Sequence, residues 1–160
     1  MSQMSGERPL RIRAVTEEDL EADLPRLVRL DADAFPHGPY PFFVLRQLVT
    51  TCAGLVYVVD DGTDLHGYVL GTPPNDAQSW VCSLAITPGL RGKGFGRLLM
   101  TKLLGQLRVK GAHAVRLSVE PRNDSAIALY RSLGFVPDPG GPRADYFGPG
   151  EDRLLMTLTP

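Results

Sequence analysis

The order of polar and apolar positions near the start of the chain predicts a strand followed by a helix. Apolar and polar residues alternate from Leu10 to Val15, in the order LRIRAV, as they do in a half-buried strand. Thr16 comes next with three acidic residues behind it, which predicts the N-cap of a helix that runs to Ala34. Pro25 lies inside this helical stretch, so we expect a kink or a break there.

The next segments predict a loop, a short helix and a hairpin. The sequence FPHGPYP, residues 35–41, is a loop by its proline and glycine content, and FFVLRQLVTT, residues 42–51, is a short helix. Two apolar segments, LVYVV and LHGYVLGT, flank the polar residues Asp60–Asp64 and predict two strands joined by a turn. A further turn is predicted at PPNDA, residues 73–77.

The second half of the chain predicts strands and helices in alternation. SWVCSLAI, residues 79–86, is nearly all apolar, as is typical of a strand that is covered on both faces. Apolar residues then recur at helical spacing from Phe95 to Leu107. Residues 114–120 alternate as a strand, with Ser118 and Glu120 on its more polar face.

The last predicted elements are a capped helix and a closing strand. Asn123 or Asp124 can cap the helix, and Gly134 ends it. PDPGGPR, residues 137–143, is a loop, and DRLLMTL, residues 152–158, is a strand. No repeat or linker interrupts this order, which indicates one mixed α/β sheet.

The composition of the 160-residue chain restricts the class of protein. This length fits a single domain with a core, and a net charge of −1 gives no general attraction to nucleic acid or to an anionic membrane. No apolar run reaches the roughly 18 residues of a membrane span, and the polar start MSQMSGERP predicts no signal peptide. Cys52 and Cys82 lie in apolar runs, and Cys82 has no histidine beside it, so we expect inert, reduced thiols. The three histidines match no metal-ligand spacing. These features predict a metal-free cytoplasmic protein.

A glycine-rich segment, TPGLRGKGFGRLLM at residues 87–100, lies between a predicted strand and a predicted helix. Two familiar phosphate-binding loops do not fit it. A Walker A loop needs Ser or Thr after its lysine and a glycine five positions before it, but Gly94 follows Lys93 and position 88 is proline. A dinucleotide-binding fingerprint needs a third glycine where Arg97 stands.

The remaining pattern is R-x-x-G-x-G at a strand-to-helix turn, made by Arg91, Gly94 and Gly96. Main-chain N–H groups that small residues leave uncovered converge in such a turn, and the helix adds the positive end of its dipole. We expect these groups to hold a pyrophosphate, with positive charge added by Lys93 and Arg97. The alternative is a flexible strand–helix connection without a ligand.

A second motif lies downstream, in LSVEPRNDSAIALYRSLGF at residues 117–135. Here a strand is followed by an asparagine at the entrance of a helix and by a tyrosine within that helix. The two segments together resemble the GNAT superfamily of N-acetyltransferases, whose motif R-x-x-G-x-G/A is followed by a strand and then by N-x-x-A-x-x-x-Y-x-x-x-G-F. The matching positions are Arg91, Gly94, Gly96, Asn123, Ala126, Tyr130, Gly134 and Phe135.

The resemblance implies a single GNAT-type domain of the α/β (α+β) class over residues 10–160, after an N-terminal tail at residues 1–9. Its fold would be a mixed, mostly antiparallel central sheet of about six or seven strands flanked by about four helices. The implied enzyme transfers acetyl from acetyl-CoA directly to a primary amine, a peptide N-terminus or a small molecule, in a ternary complex. A non-catalytic domain that binds or senses acyl-CoA is the alternative.

The resemblance also implies roles for single residues. Tyr130 would be the general acid that protonates the departing thiolate, or else a core aromatic residue. Asn123 would bind the pantetheine arm, in addition to any role as a helix cap. The N–H of Ile86 could polarise the thioester carbonyl as an oxyanion-hole donor. The residues expected to bind acetyl-CoA are Leu84, Ala85, Ile86, Arg91, Gly92, Lys93, Gly94, Phe95, Gly96, Arg97, Asn123 and Ala126.

The general base is the least regular part of the pattern. The nearest subgroup is similar to the bacterial ribosomal-protein alanine N-acetyltransferases, through AFP at Ala34–Pro36 and YFGPGED at Tyr146–Asp152. In that subgroup a glutamate on the strand before the asparagine is the base, and Ser118 stands at its position here. Glu120 is our candidate for the catalytic base through a water molecule, or else a solvated carboxylate. His37 is a weaker candidate.

The acceptor side is predicted from aromatic and acidic residues. Phe35, Tyr40 and Tyr146 are the expected walls of an acceptor pocket, or else packing residues between the helix pair and the closing hairpin. Asp31 and Asp33 could attract a cationic amine, although carboxylates at a helix end are usually solvated. The identity of the amine and the oligomeric state, a homodimer included, stay open at this point.

Overall fold

Seven strands form one mixed sheet, and four helices accompany it within the residues that the structure describes. The structure, a computed structural model, describes residues 8–159. The strands are β1 (Arg11–Ala14), β2 (Val56–Asp60), β3 (Leu65–Gly71), β4 (Gln78–Ile86), β5 (Ala114–Val119), β6 (Val136–Pro137) and β7 (Leu154–Leu158). The helices are α1 (Leu20–Ala34), α2 (Phe42–Thr51), α3 (Phe95–Val109) and α4 (Asp124–Ser132). The predicted fold class is confirmed.

The strands lie in the order β1-β2-β3-β4-β5-β7-β6 across the sheet. β4 and β5 run parallel, whereas the other five neighbouring pairs are antiparallel. The chain passes from β4 to β5 through α3, because parallel neighbours need a crossover connection. The sheet is therefore mixed at one place only, its centre.

Helices cover both faces of this sheet. On β3, the side chain of Tyr68 points to α1, where its hydroxyl hydrogen bonds to Asp31. Gly71 lies three positions further and so points to the opposite face, where a Cβ in its place would lie 2.8 Å from Leu103 of α3. Glycine at this position lets α3 approach the sheet closely. No helix among the described residues is both long enough and apolar enough to cross a membrane.

The start of α1 differs from the prediction. The N-cap is Asp19, and Thr16 instead closes a turn before the helix, with Asp19 N donating to Thr16 Oγ1 at 3.3 Å. Pro25 lies inside α1, but the helix continues through it without a break. Proline lacks the N–H group that would donate to the carbonyl of Glu21. Glu21 is an exposed residue, so water can donate to this carbonyl instead.

The end of the chain contains one strand that the pattern does not predict. β6 has only two residues, Val136 and Pro137, which pair with Thr157 and Met156 of β7. A two-residue strand is too short to show any alternation. The predicted tail at residues 1–9 lies outside the described residues, apart from its last two positions.

A cluster of ion pairs joins β1, α1 and β2. Asp23, with a side chain only 2% exposed, lies 2.8 Å from Arg13 and 2.6 Å from Arg26, and Arg13 also lies 2.9 Å from Asp60. Burial alone would raise the pKa of Asp23, but hydrogen bonds from the two arginines outweigh burial and hold the pKa below its ordinary value. We call Arg13, Asp23, Arg26 and Asp60 the arginine–aspartate cluster.

Candidate active site

A gap opens between β4 and β5 half-way along the sheet. Their pairing within the described residues ends at Val81 and Leu117, although β4 continues to Ile86 and β5 to Val119. The register of β4 with β3 shifts at the same point, where Cys82 is the extra residue. A bulge of this kind bends a strand, so the bend at Cys82 accompanies the separation of the two strands.

Main-chain groups of β4 point into this gap. Thr87 N donates to His66 O at 2.8 Å, and alternate residues of an antiparallel ladder point to the same partner strand. Ser83 and Ala85 therefore direct their N–H and C=O groups to β3, whereas Leu84 and Ile86 direct theirs to the unpaired edge. The sequence-predicted segment 84–86 thus places the N–H groups of Leu84 and Ile86 and the carbonyl of Leu84 beside the gap, whereas the carbonyl of Ile86 accepts from Arg91.

The glycine-rich turn follows directly after this edge. Gly92 and Gly94 have φ angles of +76° and +88°, and a Cβ at either position would meet no atom within 4 Å. Backbone conformation therefore requires these glycines, and the space beside them is open. Gly94 is the N-cap of α3, and the first bond of the helix runs from Leu98 N to Gly94 O at 3.1 Å. The N–H groups of residues 95–97 have no partner within the helix.

Gly96 has a different structural reason. A Cβ at this position would lie 3.3 Å from Leu129 of α4, so a small residue lets α3 and α4 pack together. The half-buried Phe95 beside it packs against the core. The R-x-x-G-x-G pattern therefore combines a backbone requirement at Gly94 with a packing requirement at Gly96.

The basic residues of the turn are exposed, and two of them already have partners. Arg91 Nε donates to the carbonyl oxygen of Ile86 at 3.2 Å, and Arg97 donates to the hydroxyl of Ser132. These contacts hold the ends of the turn onto β4 and α4. Lys93 is exposed at the tip of the turn.

The entrance of α4 confirms the predicted cap. Asn123 is the N-cap, and its side-chain oxygen accepts from Ala126 N at 3.2 Å. The role of Asn123 and Ala126 in binding a ligand stays a prediction.

Tyr130 is a buried residue of α4 whose hydroxyl has no hydrogen-bond partner within residues 8–159. Its side chain is 8% exposed, and its ring packs edge-on against Phe135 with 5.9 Å between the centroids. Burial raises the pKa of Tyr130 to about 12. Among the described residues, Ser79 Oγ is the fully buried side-chain polar atom that has no hydrogen-bond partner. The Tyr130 hydroxyl makes no hydrogen bond to these residues either, so its oxygen is not fully buried. Tyr130 therefore presents a protonated hydroxyl that can still be reached.

The candidate base lies at the surface. β5 ends at Val119, and the Glu120 side chain beyond it is 67% exposed, with a carboxylate oxygen 3.9 Å from Arg153. Ser118, at the position of the subgroup's glutamate, is half-buried on β5. The structure therefore gives Glu120 the surroundings of a solvated carboxylate with a weak ion pair, and its role as a base stays a prediction.

The three expected acceptor residues have different surroundings in the structure. Phe35 is 38% exposed and Tyr146 is 36% exposed, whereas Tyr40 is half-buried with its hydroxyl 3.4 Å from Cys82 O. Tyr40 thereby contacts the edge of β4 at the gap. His37 is exposed in the loop 35–41.

Asp31 and Asp33 have opposite surroundings. Asp33 is exposed as expected, but Asp31 is fully buried, so its expectation as a solvated carboxylate is wrong. The physical reason is that the hydroxyl of Tyr68 and the main-chain N–H of Tyr40 donate to the two carboxylate oxygens of Asp31. Sequence spacing gave no signal for this contact, because Tyr68 belongs to another element.

Two contacts of the closing segment were also missed. The Arg153 guanidinium lies 5.1 Å from the ring centre of Phe147, and Phe147 packs edge-on against Tyr146 at 4.8 Å. Arg153 thereby connects Glu120 to the aromatic residues of the loop between β6 and β7. The feature of the sequence that indicated these contacts was the position of Arg153, two residues after the turn at Gly150 and Glu151.

The thiols have the inert character that the sequence predicts. Cys52 is buried and Cys82 is half-buried, and both are free. Burial raises the pKa of Cys82 to about 11, so its thiol is protonated near neutral pH.

The sequence model of the acetyltransferase (GNAT) family matches residues 18–135 of the chain, which is well over half of its length. The chain belongs to the acetyltransferase (GNAT) family. The expected resemblance, which rested on the glycine-rich turn and on the helix with Tyr130, is confirmed.

Individual relatives agree with this family. The chain is 33% identical over 133 residues to N-alpha-acetyltransferase RimI of Mycobacterium tuberculosis, a match that covers 79% of this chain and 78% of that protein. It spans about half the length of several other curated relatives that it matches.

Two solved structures illustrate the likeness in fold. The ribosomal-protein-S18-alanine N-acetyltransferase of Escherichia coli has a TM-score of 0.76 at 22% identity, with 94% of each chain covered. A chain of the NatC complex bound to Gag peptide and CoA has a TM-score of 0.83 at 19% identity, with 94% of this chain and 98% of that chain covered.

Proposed function

We propose that the protein is an N-acetyltransferase that transfers the acetyl group of acetyl-CoA directly to a primary amine. One observation carries the proposal: the edge of β4 beyond Val81, which does not pair with β5 within the described residues, leads straight into a turn whose first N–H groups have no partner within α3. Leu84 and Ile86 supply the edge, and residues 95–97 supply the N–H groups of the turn. A thioester with a diphosphate tail needs these two features in this order.

The turn suits the diphosphate for electrostatic reasons. Free N–H groups at the start of α3 carry partial positive charge, and Lys93 adds a full charge at the tip. The open space beside Gly92 and Gly94 leaves room for phosphate oxygens to approach the main chain. The pantetheine arm then runs along the edge of β4 toward the gap.

The reaction needs one proton to leave the amine and one to reach the sulfur. The amine nitrogen attacks the thioester carbon, and the N–H of Leu84 or Ile86 stabilises the negative charge that develops on the carbonyl oxygen. The C–S bond breaks as the tetrahedral intermediate collapses, and Tyr130 donates a hydrogen bond and then a proton to the sulfur. Glu120 accepts the amine proton through water in this proposal. No protein thiol takes part, since Cys82 is protonated.

The acceptor that we propose is the α-amine of a protein N-terminus. The Mycobacterium tuberculosis protein, matched over 79% of this chain and 78% of its own length, is an N-alpha-acetyltransferase by name. The exposed ring of Phe35 lies in the loop between α1 and α2, and that of Tyr146 lies in the loop between β6 and β7. Both rings can pack against the first side chains of a peptide. A cytoplasmic location, where such N-termini and acetyl-CoA occur together, is part of this proposal.

The test is an acceptor panel with free thiol release as the readout. The purified chain and acetyl-CoA are combined with peptides of different N-terminal residues and with small amines such as polyamines. We expect thiol release with at least one peptide, and no release with the same peptide after its N-terminus has been acetylated. Release with small amines alone would contradict the peptide acceptor. Binding of acetyl-CoA with no release in any well would contradict the enzyme and indicate a non-catalytic acyl-CoA domain.

A further inference from the structure

Asp31 is a buried carboxylate that the proposed transfer does not use. Its exposed fraction is 0%. Burial of a charge is costly unless hydrogen bonds compensate for the lost water. Tyr68 donates its hydroxyl to one carboxylate oxygen at 2.5 Å, and Tyr40 donates its main-chain N–H to the other at 2.8 Å. The two oxygens of Asp31 therefore hold two different segments, β3 and the loop between α1 and α2.

The hydrogen bonds around Asp31 close into a ring through β4. The hydroxyl of Tyr68 lies 2.7 Å from Ser83 Oγ, and the hydroxyl of Tyr40 lies 3.4 Å from Cys82 O. Cys82 and Ser83 are consecutive residues at the bulge where β4 separates from β5. This ring, which we call the Asp31 ring, attaches the loop between α1 and α2 to the edge of the gap.

The direction of each proton in the ring follows from the chemistry of the groups. A carboxylate only accepts, so the single proton of the Tyr68 hydroxyl points to Asp31. The Ser83 hydroxyl must then donate to the oxygen of Tyr68. Every polar atom of this buried path has a partner in this arrangement, which is the condition for a polar network to hold one geometry.

We propose that Asp31 is a positioning residue for the amine acceptor, because it sets the place of Tyr40 at the edge of β4. The inference rests on the proposed function, in which the amine approaches the thioester at this edge. Asp31 contacts neither substrate. Its effect on the reaction passes through Tyr40, whose hydroxyl contacts the edge of β4 at Cys82 O.

Two substitutions at the same position separate geometry from charge. Asp31→Asn can keep the Asp31 ring with its protons reversed: the amide oxygen accepts from Tyr40 N, the amide NH₂ donates to Tyr68, and Tyr68 donates to Ser83. Asp31→Ala removes the ring and the charge together. Glu21→Ala is the control, since Glu21 is an exposed acidic residue of the same helix with no proposed role in binding the amine.

We expect Asp31→Ala to lower kcat/KM for the acceptor about tenfold or more, mainly through a higher KM, because small displacements in an active site are costly. Asp31→Asn should stay within about threefold of the wild type, and Glu21→Ala should match the wild type. The Kd of acetyl-CoA, measured by calorimetric titration, should change less than about twofold in all three variants, since the diphosphate turn is a separate site. A merely structural role would lower the thermal midpoint without this split between the two substrates.

Three results would overturn the inference. They are an unchanged acceptor kcat/KM in Asp31→Ala, an equal loss in Asp31→Asn, which would make charge the cause, and an equal loss of acetyl-CoA affinity. If Asp31→Ala does not fold, Tyr40→Phe and Tyr68→Phe decide the question. Their losses in acceptor kcat/KM should not add in the double variant, and additive losses would overturn the ring. A wild-type chain that acetylates no amine would refute the proposed function itself, and the inference with it.

Discussion

Three tyrosines, the buried Tyr68 and Tyr130 and the half-buried Tyr40, differ in what their hydroxyl groups contact, and this difference separates their roles. The hydroxyl of Tyr68 is bonded within the Asp31 ring, and that of Tyr40 contacts a carbonyl of β4. The hydroxyl of Tyr130 has no partner among the described residues. A hydroxyl that the protein leaves unbonded is free to donate to a ligand.

Tyr130→Phe should therefore slow acetyl transfer and leave cofactor binding intact. We expect kcat to fall about 100-fold or more, the usual size of a lost general acid, and the Kd of acetyl-CoA to change less than about threefold. Because the pKa of Tyr130 is about 12, its hydroxyl is protonated across the neutral range, and any alkaline limb of the wild-type pH profile below about pH 10 should belong to another group. Steady-state kinetics over pH and calorimetric titration measure both quantities.

Tyr57→Phe is the matched control for this change. Tyr57 is half-buried on β2, and burial also raises its pKa, but it lies outside the gap. It should keep the wild-type kcat. A Tyr130→Phe variant with full activity, or a Tyr57→Phe variant with the same loss, would show that the hydroxyl of Tyr130 is not the acid.

Residues of the motifs were predictable from sequence, and residues that depend on distant contacts were not. Asn123 and Tyr130 were found through the family motif, whose spacing follows a single helix. Asp31 is buried by Tyr68, 37 positions away, and no local pattern reports such a contact. Glu120 follows the alternation of β5, but the strand ends one residue before it, so its side chain is in solvent.

At the scale of elements, the start of α3 is where a required backbone conformation coincides with the proposed diphosphate site. Gly94→Val should weaken acetyl-CoA binding about tenfold or more in a calorimetric titration. A side chain there would occupy the open space beside the free N–H groups, and it would also be strained by about 1–2 kcal/mol at a φ angle of +88°.

Gly62→Val separates strain from contact with the ligand. Gly62 has a φ angle of +94° and open space around it, but it lies in the turn between β2 and β3. Both variants should lose similar thermal stability, and Gly62→Val should bind acetyl-CoA like the wild type. Equal affinity in the two variants would place the diphosphate away from Gly94.

Elements with a long, regular pattern were predicted closely, and those set by single contacts were not. α2 spans residues 42–51, as its pattern predicts, and β4 begins one residue before the predicted start. β6 has two residues and depends on β7 for its existence. Thr16 was mistaken for the N-cap of α1 because its hydroxyl accepts from the main-chain N–H of Asp19, as an N-cap hydroxyl accepts from an N–H two or three residues later. This contact closes a turn that precedes the helix.

At the scale of the whole molecule, the arginine–aspartate cluster ties β1 and α1 to the rest of the sheet. Asp23→Asn should lower the free energy of unfolding by about 3 kcal/mol at neutral pH, because it leaves two arginines without their shared buried partner. Glu21→Gln on the same helix is the control: its side chain is 80% exposed beside Arg46, so the loss should be at most about 1 kcal/mol. Urea denaturation measures both.

The contribution of Asp23 should depend on pH in one direction. Its pKa is lower in the folded protein than in the unfolded chain, so its stabilisation is complete above the ordinary pKa of about 3.9 and disappears as the pH falls through the folded value. The stability difference between the wild type and Asp23→Asn should therefore shrink as the pH is lowered from about 5 toward about 2. A difference that stays constant over that range would show that packing, and not charge, is responsible.

The order of elements and the family motifs predicted the general architecture, but they did not predict the gap between β4 and β5. Alternation predicts that β4 and β5 exist but carries no information on where they stop pairing. The pairing of β4 with β5 ends next to the bulge at Cys82, where the register of β4 with β3 shifts. An apolar run such as SWVCSLAI looks the same with or without a bulge.

The parallel pair has a further consequence for how the molecule holds together. Within the sheet, residues 11–86 contain the antiparallel strands β1 to β4, and residues 114–158 contain the antiparallel strands β5 to β7. Each part of the sheet thus comes from one continuous segment of the chain. Four residue pairs between β4 and β5 join the two parts directly. In the proposed complex, the pantetheine arm of acetyl-CoA lies in the gap and contacts both parts of the sheet. We therefore expect the two parts to separate most easily in the ligand-free protein.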